Sequence, residues 1–404
     1  MITLYYWPFN PGRGTRHPKV ITELLRNDFD LTVITSSYNI NDHNRNSKYI
    51  EYDDGIKIVR LPLAQGGKNG FIGRALSETM FAFRSVFAAI KYVDRKSLVF
   101  AAGPPHFFGL IIPFIKLFKS SPCLALLTDM FPDVLFDMGI VKSEFLKRIV
   151  KHICIKTYKD ADHIMVITNQ LRERLIEYSI EESKISVIEL AVDTQIFSPA
   201  HTKEYLELGI PHLKNKFVVL YSGSFNTMYD FDILLNAARY FALKLENNDI
   251  QFLIRGDGEQ RNYLLKSVSE LAVKNVTVLG PVNDTETVVS FINSASVCVV
   301  PVRDSKSIHM THPSKIFEYW ACEKPVICTS RDELADLIER SKAGCVVEPG
   351  DVEGMINSIL SLYQDKEKLR IMGMEGRNFV KKYFSYSHIK PKLVALMDSL
   401  SYSK

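Results

Sequence analysis

The stretch Phe217-Val218-Val219-Leu220-Tyr221-Ser222-Gly223 is a short apolar run that ends in a glycine. A run of this length, rich in β-branched and aromatic residues, is typical of a strand buried on both faces. Similar runs follow it at residues 250–254, 276–279, 297–300 and 326–328, with helical patterns between them. Because strands and helices alternate, the second half of the chain is predicted to form a parallel sheet with crossover helices.

The first half of the chain shows the same alternation. Its predicted strands are residues 3–7, 31–35, 56–61, 98–102, 123–127 and 164–167. Near residues 193–216, Ser-Pro and Ile-Pro pairs and a run of charges mark a connector. We therefore predict an α/β fold of two doubly wound parallel-sheet domains, residues 1–197 and 198–384. A last helix at 385–404 is expected to pack back on the first domain, and the site is expected in a cleft between the domains.

Composition narrows the class of protein. Of the 404 residues, 46% are hydrophobic and 24% charged, as in ordinary globular proteins. The six cysteines form no CxxC pair, so we expect buried thiols and neither a metal site nor a disulfide framework. The start of the chain lacks a signal-peptide pattern, and the longest apolar run, 107–118, is shorter than a membrane helix. We expect a cytoplasmic protein.

The positive charge of the chain is concentrated in one segment. Residues 57–128 contain ten Lys and Arg but two acidic residues, whereas residues 198–404 are balanced. Aromatic residues lie among these charges at positions 71, 81, 83, 87 and 92. One interpretation is a solvated surface. The other is contact with an anionic membrane surface, for which basic and aromatic residues on one helix are typical. Nucleic acid is not expected, because no binding motif accompanies the charge.

The stretch His312-Pro313-Ser314-Lys315-Ile316-Phe317-Glu318-Tyr319-Trp320 is typical of the start of a helix that holds a phosphorylated ligand. Proline fits the first helical position, and the unpaired N–H groups that follow suit an anion. Ser314, Lys315 and Glu318 share one helix face, and Ile316 and Trp320 share another that suits burial. Since a carboxylate repels phosphate, Glu318 is better placed to accept hydrogen bonds from a sugar diol.

Glycines follow three predicted strands. They lie in the loop at 7–16, which contains Gly12 and Gly14, in the segment from Tyr221 to Ser224, and in Arg255-Gly256-Asp257-Gly258. Each permits close approach of a ligand to the backbone. Taken singly, the segments at Gly223 and Gly256 are interpreted as plain turns.

Polar residues at two strand ends of the first half are candidates for acid–base chemistry. Asp129 follows the strand 123–127 and could accept a proton from an attacking hydroxyl, or could cap the next helix. His106 follows the strand 98–102 and is the rival base.

Taken in order, these motifs resemble those of the retaining glycosyltransferases of family four, which have the GT-B architecture. The likeness is nearest to the bacterial fucosamine-transferase-like enzymes of surface polysaccharide synthesis. It covers nearly the whole chain and rests on short motifs in a fixed order. These are the loop at 7–16, Thr128-Asp129-Met130-Phe131-Pro132, residues 191–197, Leu220-Tyr221-Ser222-Gly223, Gly256-Asp257-Gly258, Leu279-Gly280, Pro313-Ser314-Lys315-Ile316-Phe317-Glu318-Tyr319, and Lys324-Pro325-Val326-Ile327.

The resemblance implies a nucleotide-sugar donor on the second domain and an acceptor on the first. It assigns catalytic roles to Asp129, Lys315 and Glu318, with Glu318 on the donor ribose and Ser314 and Lys315 at the diphosphate. The donor-binding residues that it implies are Gly12, Gly14, Gly223, Ser224, Arg255, Gly256, Leu279, Pro313, Ser314, Lys315, Ile316 and Glu318. The acceptor-side residues are His106, Asp133 and Arg16. No metal or other cofactor is expected.

Two positions depart from the family pattern. Met310 stands where many members have a second glutamate, eight residues before Glu318. The loop at residues 224–230 lacks the Arg or Lys that usually contacts the departing diphosphate. Losing one such donor costs about 3 kcal/mol of barrier stabilisation. Lys315, Arg255, Arg303 and Lys306 are the candidates to replace it.

The sequence therefore predicts a retaining glycosyltransferase with a nucleotide diphosphate sugar, UDP-linked, as donor. The expected acceptor is a lipid-linked saccharide of O-antigen, capsule or exopolysaccharide synthesis, at the inner face of the cell membrane. Two alternatives stay open. One is a sugar-nucleotide epimerase of similar fold, and the other is a non-catalytic partner that binds sugar nucleotides.

Overall fold

The computed structural model describes residues 1–7, 16–37, 49–62, 70–94, 97–103, 105–200, 203, 205, 207–243, 249–271, 273–282 and 284–401. The side chains of residues 16, 70–76, 105–108 and 110 lie outside that description. The chain forms two compact units. The first comprises Met1–Leu190 and Ile389–Lys404, and the second comprises Ala191–His388.

The first unit is built on an eight-stranded sheet. Its strands are β1 (Ile2–Thr3), β2 (Thr32–Ser36), β3 (Ile50–Asp53), β4 (Ile56–Leu61), β5 (Val99–Ala102), β6 (Cys123–Leu127), β7 (His163–Val166) and β8 (Ile185–Val187). They are arranged in the order β3-β4-β2-β1-β5-β6-β7-β8. The helices are α1 (Arg16–Leu25), α2 (Gly70–Tyr92), α3 (Pro105–Lys119), α4 (Asp133–Asp137), α5 (Glu144–Asp160) and α6 (Asn169–Glu177).

All neighbouring strands of this sheet are parallel except the pair β3 and β4, which the prediction of a parallel sheet had missed. Only Asp54 and Gly55 join the two strands, and both have positive φ, 49° and 83°. This is the backbone of a two-residue hairpin turn, which favours Asp-Gly and forces the strands to run antiparallel. The first strand is also shorter than predicted, since it comprises only Ile2 and Thr3.

The second unit has a fully parallel six-stranded sheet. Its strands are β9 (Phe217–Ser224), β10 (Ile250–Asp257), β11 (Val276–Leu279), β12 (Val297–Pro301), β13 (Val326–Thr329) and β14 (Gly344–Val347). Their order is β11-β10-β9-β12-β13-β14. The helices are α7 (Phe231–Leu243), α8 (Arg261–Leu271), α9 (Thr285–Ser294), α10 (Lys306–His309), α11 (Lys315–Ala321), α12 (Asp332–Ser341), α13 (Val352–Gln364) and α14 (Lys366–Tyr383). A last helix, α15 (Tyr386–Ser401), lies mostly in the first unit.

Helix α11 is buried along its whole length. Trp320 is fully buried, and its indole Nε1 donates to the carbonyl of Ala343 at 3.0 Å. Gly376 of α14 lies against the indole ring, where a Cβ would come within 2.7 Å of Trp320 Cδ1. The close contact between α11 and α14 therefore holds α11 in the core. The first turn of α11 lies near the carboxyl end of β9.

Two expectations about the chain as a whole can be compared with this structure. Five of the six cysteines are buried and Cys345 is half-buried, as predicted. Within the residues described, there is no helix that combines the length and the apolar character needed to cross a bilayer.

Gly344→Ala is expected to destabilise the second unit. A Cβ at this position would lie 2.2 Å from the carbonyl oxygen of Val326 on the paired strand β13, and backbone cannot move aside cheaply. We expect a loss of about 1–3 kcal/mol, measured as a lower midpoint in thermal or urea unfolding. Gly280→Ala is the matched control, because the nearest atom to its added Cβ is 3.9 Å away. Equal losses in the two variants would contradict the packing argument.

Candidate functional site

The order of strands in the second sheet marks the place where a ligand is expected. From β9 the chain moves outward to β10 and β11, then returns to place β12 on the other side of β9. Ligands of such open sheets bind outside the carboxyl ends of the strands, at the point where the direction reverses. Here that point lies between the ends of β9 and β12. Helix α11, which contains Lys315 and Glu318, is part of the connection that leaves β12.

Helix α11 begins later than the sequence predicted. Its first residue is Lys315 and its N-cap is Ser314, so Pro313 lies outside the helix rather than at its first position. The first turn is tight, because the N–H of Ile316 donates to the carbonyl of Pro313 at 3.0 Å. That N–H group is therefore already paired, and the Ile316 side chain is fully buried in the core. The prediction that Ile316 binds the donor is not supported by this geometry.

The Lys315 side chain lies in a cage made by two tyrosines. Its Nζ donates to Tyr221 Oη at 2.8 Å and lies 4.1 Å from the centroid of the Tyr221 ring. The Tyr229 ring centroid is 3.8 Å from the same atom. Ring faces attract a cation, and this attraction is stronger where water is excluded. The two tyrosines thus fix the position of the ammonium group.

Lys315 is almost completely buried, and its charge is correspondingly costly. Burial lowers the pKa of the ammonium group from its usual 10.5 to about 7, although the nearby Glu318 carboxylate opposes the shift. A cation in this state gains strongly from an anionic partner, because a bound anion offsets the desolvation that destabilises the charge. The site is thus electrostatically prepared for a negatively charged ligand.

Gly223 is the reason that Lys315 can reach this position. Tyr221 and Gly223 lie on the same face of β9, and a Cβ at Gly223 would come within 2.7 Å of Lys315 Nζ. The loop that follows β9 lacks a cation of its own up to residue 230, but the ammonium of Lys315 lies next to Gly223, just before this loop. Arg303 and Lys306, two rivals for this role, are exposed beyond the end of β12.

The glycines of β9 and β10 are required by contact between the two strands. Gly223 and Gly256 are paired in register, with φ of 155° and 143°. A Cβ at Gly256 would lie 1.7 Å from the carbonyl oxygen of Gly223, and one at Gly258 would lie 2.6 Å from that of Phe225. The interpretation of these segments as plain turns is wrong. Strand β10 continues through Asp257, so backbone without side chains lies at the carboxyl ends of β9 and β10.

Arg255 supplies a second buried cation near the carboxyl end of β10. It is buried on β10, where Nη1 donates to Ser222 Oγ at 2.8 Å and the guanidinium lies 5.0 Å from the Phe291 ring. Burial lowers its pKa. Among the residues that the structure describes, none accepts a hydrogen bond from its buried Nε. In register beside Arg255 on β11 is the half-buried Leu279.

Tyr319 connects the helix to the glycine-bearing strand. Its Oη accepts from the N–H of Ser222 at 2.9 Å and donates to the carbonyl of the same residue at 3.0 Å. This pair of bonds sets the distance between α11 and the end of β9. The buried Glu318 and the half-buried Ser314 lie at the same end of α11, near Lys315.

Sequence reasoning missed Tyr221, Tyr229 and Tyr319 as members of the site. Tyr221 and Tyr319 occur inside motifs on which the family resemblance rests, and Tyr229 lies in the loop noted for its missing cation. An aromatic residue two positions before a strand-end glycine was the available signal, because alternate residues share one face of a strand.

The predicted residues of the first unit lie in different surroundings. Asp129 is half-buried just beyond β6, where Thr128 Oγ1 donates to its Oδ2 at 3.1 Å. Burial raises the pKa of this carboxyl. Asp133 is engaged, since Tyr178 Oη donates to its Oδ2 at 2.5 Å and Arg174 forms an ion pair with it. This carboxylate therefore connects α4 to α6 and is not presented to an acceptor.

The remaining candidates of the first unit cannot be placed. Gly12 and Gly14 lie outside the described residues, and so do the side chains of Arg16 and His106.

Sequence comparison relates part of the second unit to a known family. Residues 216–365 match the family model described as glycosyl transferases group 1. The chain is 29% identical over 258 residues to the UDP-Gal:alpha-D-GlcNAc-diphosphoundecaprenol alpha-1,3-galactosyltransferase of Escherichia coli. That alignment covers 62% of this chain and 63% of the relative, so the chain spans less than two thirds of the relative's length.

Solved structures match the whole chain in fold. Sucrose-phosphate synthase from Thermosynechococcus elongatus superimposes with a TM-score of 0.78 at 19% identity, over 100% of this chain and 98% of that one. HepE from Anabaena in complex with UDP-glucose gives a TM-score of 0.73 at 14% identity, over 98% and 99% of the two chains. At such identities the likeness establishes the fold alone. The predicted architecture is confirmed: the chain has the GT-B fold, and its residues 216–365 match the model of the glycosyl transferases group 1 family.

Proposed function

We propose that this protein is a glycosyltransferase that takes its sugar from a UDP-sugar bound at the end of the second sheet. The observation that carries the proposal is the buried ammonium of Lys315, held by Tyr221 and Tyr229 over the bare backbone at Gly223. A buried cation beside a glycine-lined strand end suits a diphosphate. The group 1 family match and the UDP-Gal named for the E. coli relative support the same donor class.

Each part of the donor has a proposed partner. Lys315 and Ser314 face the diphosphate, and the Glu318 carboxylate accepts hydrogen bonds from the ribose hydroxyls. Arg255 and Leu279, which are neighbours in register, lie toward the base. The unpartnered Nε of Arg255 is a buried donor that a carbonyl or phosphate oxygen of the ligand would satisfy.

Transfer of a sugar from a UDP-sugar requires that the leaving diphosphate be stabilised. Negative charge accumulates on the oxygen that joins sugar and phosphate as that bond breaks, and a pre-positioned cation stabilises it most in a water-poor site. Lys315 takes the role of the cation absent from residues 224–230. We propose front-face attack with retention, in which the leaving phosphate helps to remove the acceptor proton. Asp129, whose pKa is raised by burial, is the carboxylate proposed on the acceptor side.

The proposed acceptor is a lipid-linked saccharide of surface polysaccharide synthesis. The printed name of the E. coli relative specifies a saccharide on diphosphoundecaprenol, which supports this class. Membership of the fucosamine-transferase-like subgroup and placement at the inner face of the cell membrane belong to the same proposal.

Calorimetric titration with UDP, GDP and ADP tests the donor site. We expect UDP to bind, and Glu318→Ala to weaken it roughly 10–100-fold through loss of hydrogen bonds to a charged group. Glu339→Ala, on the exposed face of α12, is the control. Absence of binding by all three nucleotides would refute the proposal. UDP release that occurs only with an acceptor saccharide would exclude the epimerase, and binding without any turnover would favour a non-catalytic partner.

Lys315→Met should lower turnover far more than donor binding, because its charge matters most when the diphosphate departs. We expect turnover to fall roughly 10²–10³-fold and the donor Kd to rise less than about tenfold. The measurement is UDP release from UDP-galactose with N-acetylglucosamine-diphosphoundecaprenol, beside calorimetry. Lys306→Met is the matched control, because Lys306 is exposed. Equal losses in turnover and binding would show that Lys315 contributes only uniform binding.

Donor binding should take up a proton near pH 8. In the free protein Lys315 has a pKa of about 7, so it is mostly neutral at that pH. A bound diphosphate favours the ammonium and raises its pKa. Affinity for UDP-glucose, whose diphosphate does not titrate here, should then fall as the pH rises above 7, by less than about tenfold in total, which is the limit expected for the loss of the Lys315 charge. Calorimetry in two buffers of different ionisation enthalpy measures the uptake. If the Lys315→Met variant takes up the same number of protons on binding UDP-glucose, the proton is taken up by another group.

A further inference from the structure

Helices α2, α3 and α5 form one layer on the first sheet. They connect β4 to β5, β5 to β6 and β6 to β7, and each connection moves in the same direction across the sheet. Right-handed crossovers therefore place all three helices on the same side. Helix α2 packs against α3, and α3 packs against α5. Their outward faces thus adjoin one another.

Each of these helices carries an exposed apolar stripe. Phe87, Leu117 and Phe145, one on each helix, are 71%, 74% and 71% exposed. The other exposed members follow at helical spacing, so that each stripe stays on one face. They are Met80 and Phe83 on α2, Phe114 and Phe118 on α3, and Leu146, Ile149 and Ile153 on α5. Ten exposed large apolar side chains on three neighbouring helices form the kind of patch that marks an interaction site.

The same layer is strongly basic. The ranges of α2, α3 and α5 contain ten Lys and Arg but three acidic residues. One of the acids, Glu78, is buried, so it adds little to the outer surface. Arg148, Lys156 and Lys159 of α5 are exposed, as are Arg84 and Lys91 of α2. An outer face of large apolar side chains among Lys and Arg has the composition of a helix lying in a membrane interface.

We propose that the outer face of α2, α3 and α5 binds the surface of an anionic lipid bilayer. A second copy of the chain is a poorer occupant, because a symmetric contact would bring the same basic face against itself. The proposal extends the basic segment 57–128 to α5. Two residues of that segment do not belong to the proposed surface. Phe81 is fully buried, and Arg60 is buried in an ion pair with Glu51. The proposal does not depend on the proposed enzymatic activity.

Co-sedimentation of the full chain with lipid vesicles tests this surface. We expect binding to vesicles of phosphatidylglycerol and phosphatidylethanolamine, and little binding to phosphatidylcholine alone. A variant with Phe87→Ser, Leu117→Ser and Phe145→Ser should bind at least about tenfold more weakly. A variant with Arg148→Gln, Lys156→Gln and Lys159→Gln should lose affinity to a similar degree and respond less to salt.

The matched control carries Leu243→Ser, Leu265→Ser and Ile371→Ser, three exposed apolar residues of the second unit. It should bind vesicles like the parent. No binding of the parent to anionic vesicles would overturn the proposal, and so would equal binding by the control and the first variant. A parent dimer that the first variant loses would also overturn it, by assigning the face to self-association. Calorimetric titration of every variant with UDP measures donor binding separately, so that a loss of vesicle binding can be distinguished from a failure of the donor site.

Discussion

The candidate site depends on one constraint, the close approach of backbone at the ends of β9 and β10. Gly223 and Gly256 face each other so closely that no side chain fits on Gly256. The space above Gly223 is occupied by the ammonium group of Lys315. If either glycine carried a Cβ, the strands or the lysine would have to move. This contact therefore sets both the shape of the strand edge and the position of its charge.

The residues around the ammonium group of Lys315 fix its position near the end of β9 without neutralising its charge. Tyr221 accepts a hydrogen bond from Lys315, and its own hydroxyl donates to the carbonyl of Ser224 at 2.5 Å. Tyr319 binds both backbone groups of Ser222, which fixes α11 against the strand. Since α11 is packed on α14 through Trp320 and Gly376, the core of the unit supports the position of the lysine. A rigid, partly desolvated cation is what a departing diphosphate requires.

The central strands could be predicted from the sequence, but three strands could not. The runs at 56–61 and 123–127 coincide with β4 and β6. The second of them is the continuous apolar run that a strand buried on both faces needs. The missed strands β3, β8 and β14 all lie at sheet edges. An edge strand is less buried, so its sequence is short or mixed and carries a weaker signal. The Asp54-Gly55 turn was the one local signal for β3.

The sequence by itself determined the class of the protein. Its alternating apolar runs specify two parallel sheets, and its ordered motifs identify Lys315, Glu318 and the glycine segments as one group, because these patterns are local in the chain. Only the tertiary structure decided which cation lies beside the end of β9, since Lys315 and Gly223 are far apart in sequence and meet only when α11 packs beside β9. It likewise showed that Asp133 is an ion-pair partner of Arg174 and that the stripes of α2, α3 and α5 adjoin. Burial and long-range contact decide these points, and neither is encoded in a short segment.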